Sequence, residues 1–246
     1  MVFDGLFLDA AGTLFELSEP VGHSYARIAA SHGLTLDPTS LESAFRSAWK
    51  ATPQPLHPKG LIPPDDDRSW WLAVVTATLQ STAGTPLPPE VIAPLFDDLY
   101  QHFAQPHAWK LFPDVPTALE QLAQIAPLHI LSNFDLRLIP ILEGLQIAPF
   151  FRTITLSSQA GASKPHPRIF HHALAKAGIP PHAALHIGDE KRADLEGATQ
   201  AGLHAYLLDR PHLTLASLAE NLLSHDDSCL HAPATGVLKR PQNERG

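Results

Sequence analysis

Two hydrophobic patterns alternate along the second half of the chain, from residue 113 onward. Short apolar runs of strand length are followed by stretches whose apolar residues have the spacing of a helix with one buried face. We predict strands at the runs 128–133, 153–157, 184–189 and 205–208. Helices are predicted at the stretches 115–125, 136–145, 168–177 and 194–201. Because strands that alternate with helices form parallel sheets, this order predicts an α/β core with helices on both faces of the sheet.

The first strand of that sheet is predicted far upstream, at the apolar run 6–8, which ends in Asp9 and a turn of small residues. From about residue 16 to residue 103 the spacing is helical instead and predicts helices through 21–29, 41–49, 70–79 and 91–103. The proline-rich stretch 52–67 predicts a long surface loop. A helical block placed after one strand of a parallel sheet is an insertion, and we expect it to cover the carboxyl edge of the sheet as a cap.

These patterns divide the chain into two predicted domains and a tail. Residues 1–14 and 105–224 form the predicted α/β core, and residues 15–104 form the predicted all-helical cap. Residues 225–246 are polar, with proline, glycine and charged residues, and we predict that this tail is disordered.

Composition narrows the classes of function. The 246 residues are 44% hydrophobic and 17% charged, as in a globular protein with a sizeable core. The net charge of −8 leaves no basic surplus for nucleic acid, and the 15 histidines lack the spacing of a zinc site. The single cysteine, Cys229, excludes an internal disulfide. No apolar run reaches the roughly twenty residues of a membrane span, and no secretion signal precedes the first strand. We therefore expect a cytoplasmic protein with no membrane partner, while its oligomeric state stays open.

Polar side chains end several predicted strands at the carboxyl edge of the sheet, where ligands of such sheets bind. Asp9 ends the first strand, the pair Ser132-Asn133 ends the next and Asp189 ends another. Carboxylates from two strands are suitable ligands for Mg²⁺, with substrate phosphate and water completing its shell. A hydroxyl and a lysine such as Lys164 suit phosphoryl oxygens. A carboxylate beside the metal, as Asp9 would be, is also able to act as a nucleophile and form an aspartyl-phosphate.

Each of these residues also has an ordinary structural interpretation. Asp9 opens a segment of small residues that includes Gly12, and Asp189 directly follows Gly188, as residues of ordinary turns do. The pair Ser132-Asn133 suits a helix cap, Asp194 suits the first turn of a helix, and Lys164 suits a solvated surface. The individual residues therefore leave open whether they form one site.

Four segments in order carry a family resemblance: Asp9-Ala10-Ala11-Gly12-Thr13-Leu14, Leu131-Ser132-Asn133, residues 164–170, and Gly188-Asp189 with Asp194. On these segments the chain resembles the haloacid dehalogenase-like hydrolase superfamily over about residues 3–210, in the group with a helical cap after the first strand. The opening segment followed by Glu19-Pro20-Val21-Gly22 is similar to a subgroup related to an insect rhythmically expressed protein. The resemblance implies a Rossmann-like core.

The resemblance also implies the roles of individual residues. Asp9 corresponds to the nucleophile. The implied metal ligands are Asp9, the backbone carbonyl of Ala11, Asp189 and Asp194, the last directly or through water. The residues implied to hold the transferring phosphoryl group are Ser132, Asn133 and Lys164, and Lys164 also offsets the charge of Asp9.

Ala11 departs from the family pattern. Phosphatases of the superfamily usually carry there a second Asp that serves as general acid and base, and alanine cannot move a proton. Loss of such a group typically lowers a rate by roughly 10²–10⁴.

We favour a Mg²⁺-dependent phosphatase acting on a small phosphorylated metabolite, with weak activity or a need for a good leaving group. One alternative is a member that binds a phospho-ligand or partner without turnover. Less favoured is a 2-haloacid dehalogenase, since those relatives work without metal.

Five residues of the predicted cap are candidates for the wall of a substrate pocket: His23, Arg27, Trp49, Trp70 and Trp71. Aromatic residues at helical spacing usually belong to a helical core. We therefore assign none of them to the site.

Overall fold

The computed structural model of the protein describes residues 2–210 and 212–224 and the backbone of 238–239. The described strands are β1 (Gly5–Leu8), β2 (Phe15–Leu17), β3 (Trp109–Leu111), β4 (Leu128–Ser132), β5 (Phe151–Leu156), β6 (Ala184–Gly188), β7 (His204–Leu207) and β8 (Leu238–Lys239). The main sheet has the order β5-β4-β1-β6-β7-β8. All its strands pair in parallel except β8, which is antiparallel to β7. The predicted parallel sheet flanked by helices is confirmed.

Most of the described α-helices lie close to the predicted segments, but Ser157–Ala160 and Leu215–Leu223 were not predicted as helices. The described α-helices are α1 (Val21–Ser31), α2 (Pro38–Ala51), α3 (Arg68–Thr82), α4 (Pro89–His102), α5 (Val115–Ile125), α6 (Leu138–Gly144), α7 (Ser157–Ala160), α8 (Pro167–Ala177), α9 (Gly197–Gln200) and α10 (Leu215–Leu223). The predicted helix 194–201 differs, because it is the π-helix Lys191–Glu196 followed by the short α9. Such wide turns occur often at functional sites.

Strand β1 lies at the centre of the main sheet because its side chains are apolar on both faces. Leu6 and Leu8 pack with residues of α5, α6 and α10, whereas Phe7 packs with residues of α8 and α9 on the opposite face. Burial of a side chain of this size stabilises a fold by roughly 1.5–3 kcal/mol. Hydrogen bonding to β4 and β6 holds β1 on both sides, so Asp9 follows a firmly fixed strand.

The chain leaves and re-enters the α/β core through a ribbon of two short strands. Strand β2 pairs antiparallel with β3, with Phe15 opposite Leu111 and Leu17 opposite Trp109. Residues 15–17, predicted as the start of an all-helical segment, are therefore a strand. Three residues are too few to show the alternation of a strand, and their partners lie far along the sequence. We call residues 18–108, between the two strands, the helical insertion.

The helical insertion contacts the loops that follow β4 and β5. The Trp71 indole N–H donates a hydrogen bond to Asp135 Oδ2 (2.8 Å), and the backbone N–H of Leu136 donates to Asp66 Oδ2 (2.8 Å). The backbone N–H of His57 donates to the carbonyl of Gly161 (2.9 Å). These loops lie at the carboxyl edge of the main sheet. The role of the insertion as a cap stays a prediction.

The loop 52–67 has little regular structure, but it is not wholly at the surface. Leu56 forms an isolated bridge with Ala162, and the side chain of Asp67 is buried beside His57 Nε2 (3.2 Å). This segment therefore also fastens the insertion to the core. No described helix is long and apolar enough to cross a membrane. Apart from β8, the tail predicted to be disordered lies outside the described residues.

A buried histidine in β4 predicts how stability depends on pH. The ring of His129 stacks on Phe7, and Nδ1 lies 2.8 Å from the Thr153 hydroxyl. Burial lowers the pKa of His129 to about 4, whereas an unfolded histidine titrates near 6.5. Between these values the unfolded chain binds more protons, so the free energy of unfolding falls as the pH drops. We expect His129 to contribute a loss of roughly 3 kcal/mol between pH 7 and pH 4.

Urea unfolding across this pH range checks the prediction. His129→Gln keeps a side chain able to contact Thr153 but does not titrate, so its stability should fall less steeply with acid. His171→Gln changes an exposed histidine on α8 and should retain the parent's slope. Equal slopes for the parent and His129→Gln would show that His129 is not the responsible group.

Candidate active site

A lysine connects two carboxylates at the carboxyl edge of the main sheet. The Lys164 ammonium donates hydrogen bonds to Asp9 Oδ1 (2.7 Å) and to Asp194 Oδ1 (2.6 Å). All three side chains are buried. The backbone N–H of Asp9 donates to the carbonyl of Ile187 (2.9 Å), which fixes Asp9 against the end of β6. The structure thus brings Asp9, Lys164 and Asp194 together, although they come from distant parts of the chain.

Asn133 holds the backbone of Lys164 with both ends of its side-chain amide. Its Nδ2 donates to the Lys164 carbonyl (3.0 Å), and its Oδ1 accepts from the Lys164 N–H (2.6 Å). Asn133 therefore positions the lysine, a role that the sequence did not indicate. Ser132 is buried as the last residue of β4, directly before Asn133. Their predicted contacts with a phosphoryl group stay predictions.

Two glycines allow the acidic side chains to approach the backbone. At Gly188 a Cβ atom would lie 2.2 Å from Asp194 Cγ, and at Gly12 it would lie 2.4 Å from Asp189 Oδ2. Gly12 also has φ +90°, a backbone conformation that residues other than glycine rarely adopt. Thr13 Oγ1 donates to Asp189 Oδ1 (3.0 Å). The turn after β1 thus contacts the end of β6 and orients Asp189.

The three aspartates are arranged as a cation site. Asp9, Asp189 and Asp194 each offer an oxygen within 4.8 Å of the others. Burial, together with the charges of Asp9 and Asp194, raises the pKa of Asp189 to about 7. Burial also raises the pKa of Asp9, although Lys164 opposes the shift. One ammonium among two buried carboxylates and one half-buried carboxylate leaves excess negative charge, so the residues fit a hard divalent cation such as Mg²⁺.

Asp194 is the most fully bonded of the three aspartates. Its Oδ1 accepts from Lys164 and lies 2.9 Å from His186 Nε2, and its Oδ2 accepts from the Glu190 N–H (2.9 Å). Burial alone would raise its pKa, but Lys164 and His186 outweigh burial and hold the pKa below its usual range. Asp194 therefore stays ionised, and its contacts suit it to positioning Lys164. Asp9 and Asp189 each accept from only one side chain among the described residues.

His186 also belongs to this site, although it was not among the residues predicted from the sequence. The residue lies inside β6 and is fully buried, with Nε2 directed at Asp194. A signal was present, because a polar residue within a buried apolar strand must find a partner. Residues 186 and 188 share one face of the strand, and the missing side chain of Gly188 leaves space there for Asp194.

The candidate cap residues lie in different environments. Trp71 borders an apolar cavity, while Trp49 and Trp70 border a smaller one that Asn133 also lines. Arg27 pairs with Glu19 at the surface (2.9 Å), and His23 is exposed on α1. Ala11 is partly exposed in the turn after Asp9, between Ala10 and Gly12. Its carbonyl as a metal ligand stays a prediction.

Comparisons with known proteins identify the family to which the chain is similar. A family model described as haloacid dehalogenase-like hydrolase matches residues 3–202. Haloacid dehalogenase-like hydrolase domain-containing protein 3 of Bos taurus is 37% identical over 204 residues, which cover 82% of this chain and 80% of that protein. The Rhythmically expressed gene 2 protein of Drosophila melanogaster is 26% identical over 210 residues, with 81% and 80% covered.

A solved structure shows the same fold. The HAD-hydrolase YfnB from Bacillus subtilis, bound to magnesium, aligns with a TM-score of 0.70 at 18% identity and covers 91% of this chain and 100% of its own. The relatives also confirm the resemblance to the rhythmically expressed subgroup. With a family model that spans most of its length, the chain belongs to the haloacid dehalogenase-like hydrolase family.

Proposed function

We propose that the protein is a Mg²⁺-dependent phosphatase that acts on a small phosphorylated metabolite through an aspartyl-phosphate on Asp9. The observation that carries the proposal is the buried Lys164 ammonium between Asp9 and Asp194, with Asp189 beside them. Asp9 and Asp189 would hold the cation, together with the Ala11 carbonyl and, directly or through water, Asp194. The bound ion would neutralise negative charge on the phosphoryl oxygens.

The other steps of the proposed reaction depend on side chains of the protein. An Asp9 oxygen attacks phosphorus and the bond to the leaving oxygen breaks, which leaves an acyl phosphate on Asp9. Lys164, Ser132 and Asn133 are the proposed donors to phosphoryl oxygens as charge develops. Water then attacks phosphorus, inorganic phosphate leaves and the Asp9 carboxylate is restored. Ala11 neither protonates the leaving oxygen nor activates the water, so both proton transfers fall to solvent.

Magnesium should stabilise the parent protein but not a variant without the Asp189 carboxylate. At a concentration about 100 times Kd, binding adds about 2.7 kcal/mol, which raises Tm by roughly 5–10 °C for a chain of this size. Asp189→Asn should lose this rise in Tm. Of Asp9 and Asp189, the two carboxylates that each accept a hydrogen bond from only one described side chain, the variant keeps only Asp9. Thermal unfolding over a series of MgCl₂ concentrations measures it.

An exposed carboxylate provides the matched control. Asp209→Asn should respond to Mg²⁺ as the parent does, since Asp209 is exposed and follows β7. If Asp189→Asn showed the parent's rise in Tm, Asp189 would not be a ligand and the proposed site would be wrong.

The alanine at position 11 favours a second candidate, a protein that binds a phospho-ligand without turnover. Assays of an aryl phosphate and of 2-halo acids, each with and without Mg²⁺, separate the candidates. Mg²⁺-dependent release of phosphate supports the phosphatase, and metal-independent release of halide supports the dehalogenase. Binding of phosphate analogues without either product supports the non-catalytic alternative.

A further inference from the structure

We infer that the substrate carries a small apolar body, at most a single aromatic ring, and that this body binds in a cavity between the helical insertion and the α/β core. The inference rests on the proposed function, because it assigns the leaving-group side of the same reaction. We call this space the aromatic cavity. Its ring-bearing walls include Tyr25, Phe45, Trp71, Tyr100, Trp109 and Phe134.

The aromatic cavity lies next to the segments that build the candidate active site. Phe134 directly follows Asn133, whose side chain holds Lys164. Leu17 and Trp109 line the cavity from the ribbon that continues the turn after Asp9. The rings of Trp109 and Phe134 are 5.8 Å apart between centroids, so the two segments meet at the wall. A group attached to a phosphate near Asp9 therefore has an apolar space close by.

The walls offer few polar groups to a ligand. Among the described residues that line the cavity, Arg137 alone is charged, and Asp135 already accepts from its Nε (2.9 Å) and Nη2 (2.7 Å). The guanidinium also lies 3.9 Å from the Tyr100 ring centroid and 4.7 Å from that of Trp71. A sugar or nucleotide would lose water here without gaining matching hydrogen bonds. The lining therefore selects an apolar body against a polyhydroxylated one.

The volume of the aromatic cavity limits the size of that body. It encloses about 80 Å³, less than the roughly 150 Å³ of an apolar protein cavity that binds benzene. One ring enters only if the side chains yield slightly, and a fused pair of rings does not fit. The absence of an acid at Ala11 points independently to the same substrates, because phenolic oxygens leave without the protonation that an alkoxide needs.

Binding of non-hydrolysable phosphonates in the presence of Mg²⁺ tests the cavity apart from turnover. Phenylphosphonate should bind the parent about tenfold more tightly than methylphosphonate, because only the phenyl group fills the cavity. Calorimetry gives both affinities. Emission of Trp71 and Trp109 should change with the phenyl compound, since both indoles line the cavity. Equal affinities, or no binding of phenylphosphonate, would overturn the inference.

Enlarging the cavity tests where the ring binds. Phe45→Ala removes a half-buried wall residue on α2 and should increase the affinity for 1-naphthylphosphonate relative to phenylphosphonate by about fivefold or more. Phe151→Ala removes a half-buried phenyl ring on β5, outside the cavity, and should leave that ratio unchanged. A ratio that Phe45→Ala does not move, or that both variants move equally, would overturn the inference. If Phe45→Ala failed to fold, the milder Phe45→Leu should shift the ratio in the same direction.

Turnover separates a failure of this inference from a failure of the proposed function. Aryl and non-aromatic phosphates with leaving groups of equal pKa should differ in KM, and the aryl compound should have the lower value. Hydrolysis of both with equal KM would reject the cavity as a substrate site and leave the phosphatase intact. Selective phosphonate binding without hydrolysis of any ester would reject the phosphatase and leave the cavity as a binding site.

Discussion

Replacing Ala11 with aspartate should raise the rate of alkyl phosphate hydrolysis by up to roughly 10²–10⁴ and that of aryl phosphate hydrolysis by much less. An alkoxide is a poor leaving group until it is protonated, and the new carboxyl group would protonate it. A phenolate needs no such help. The same carboxylate would activate water against the aspartyl-phosphate, so the intermediate should accumulate in the parent and decline in Ala11→Asp. Values of kcat/KM for both esters, with acid-quenched protein assayed for bound phosphate, measure the two effects.

Two further variants make this prediction specific. Ala11→Asn has nearly the shape of the aspartate variant but cannot act as acid or base, so it should not accelerate either ester. Asp9→Asn should abolish turnover with either residue at position 11. If the parent already hydrolysed alkyl and aryl phosphates at similar rates, another residue would supply the proton and the role assigned to Ala11 would be wrong.

Lys164→Met should lower the free energy of unfolding by about 3–5 kcal/mol at neutral pH without Mg²⁺ and should abolish activity. The change removes the ammonium that lies between Asp9 and Asp194, so buried carboxylates repel one another without compensation. Those carboxyls would then have raised pKa values and take up protons as the pH falls. The loss of stability should therefore be smaller at pH 5 than at pH 7. Urea unfolding at both pH values measures it.

The double variant Lys164→Met, Asp194→Asn separates stability from catalysis. Removing the Asp194 charge as well should restore much of the lost stability, but activity should stay absent because Lys164 is missing. Lys50→Met, at an exposed position near the end of α2, should change stability by no more than about 0.5 kcal/mol. If Lys164→Met were as stable as the parent at neutral pH, the lysine would not be what stabilises the buried carboxylates.

The parts of the fold that could be predicted are those recorded locally in the chain. An apolar run that ends in a carboxylate marks a buried strand and its carboxyl end, which is why the positions of Asp9 and Asp189 followed from the sequence. Helical spacing located α1 to α4 for the same reason. Side chains at the ends of parallel strands necessarily meet at one edge, so their approach followed from the topology.

The parts that could not be predicted depend on partners that are distant in sequence. Asn133 forms two hydrogen bonds with the backbone of Lys164. No local sequence pattern distinguishes an asparagine in this role from one that contacts phosphate. His186 is directed at Asp194 only because a π-helix returns the chain to the end of β6. The ribbon β2–β3 also depends on a distant partner, since each of its strands is too short to be recognised in the sequence without the other.

That ribbon has a consequence for how proteins of this shape diversify. Leu17 and Trp109 are opposite one another, so the chain departs from the core and returns to it at a single point. The helical insertion is therefore joined covalently to the core only at the end of this ribbon. A tight two-residue turn would suffice to close the ribbon without the insertion. The helical insertion, which is proposed to lie beside the leaving group, is therefore exchangeable during evolution without any rearrangement of the strand that carries Asp9.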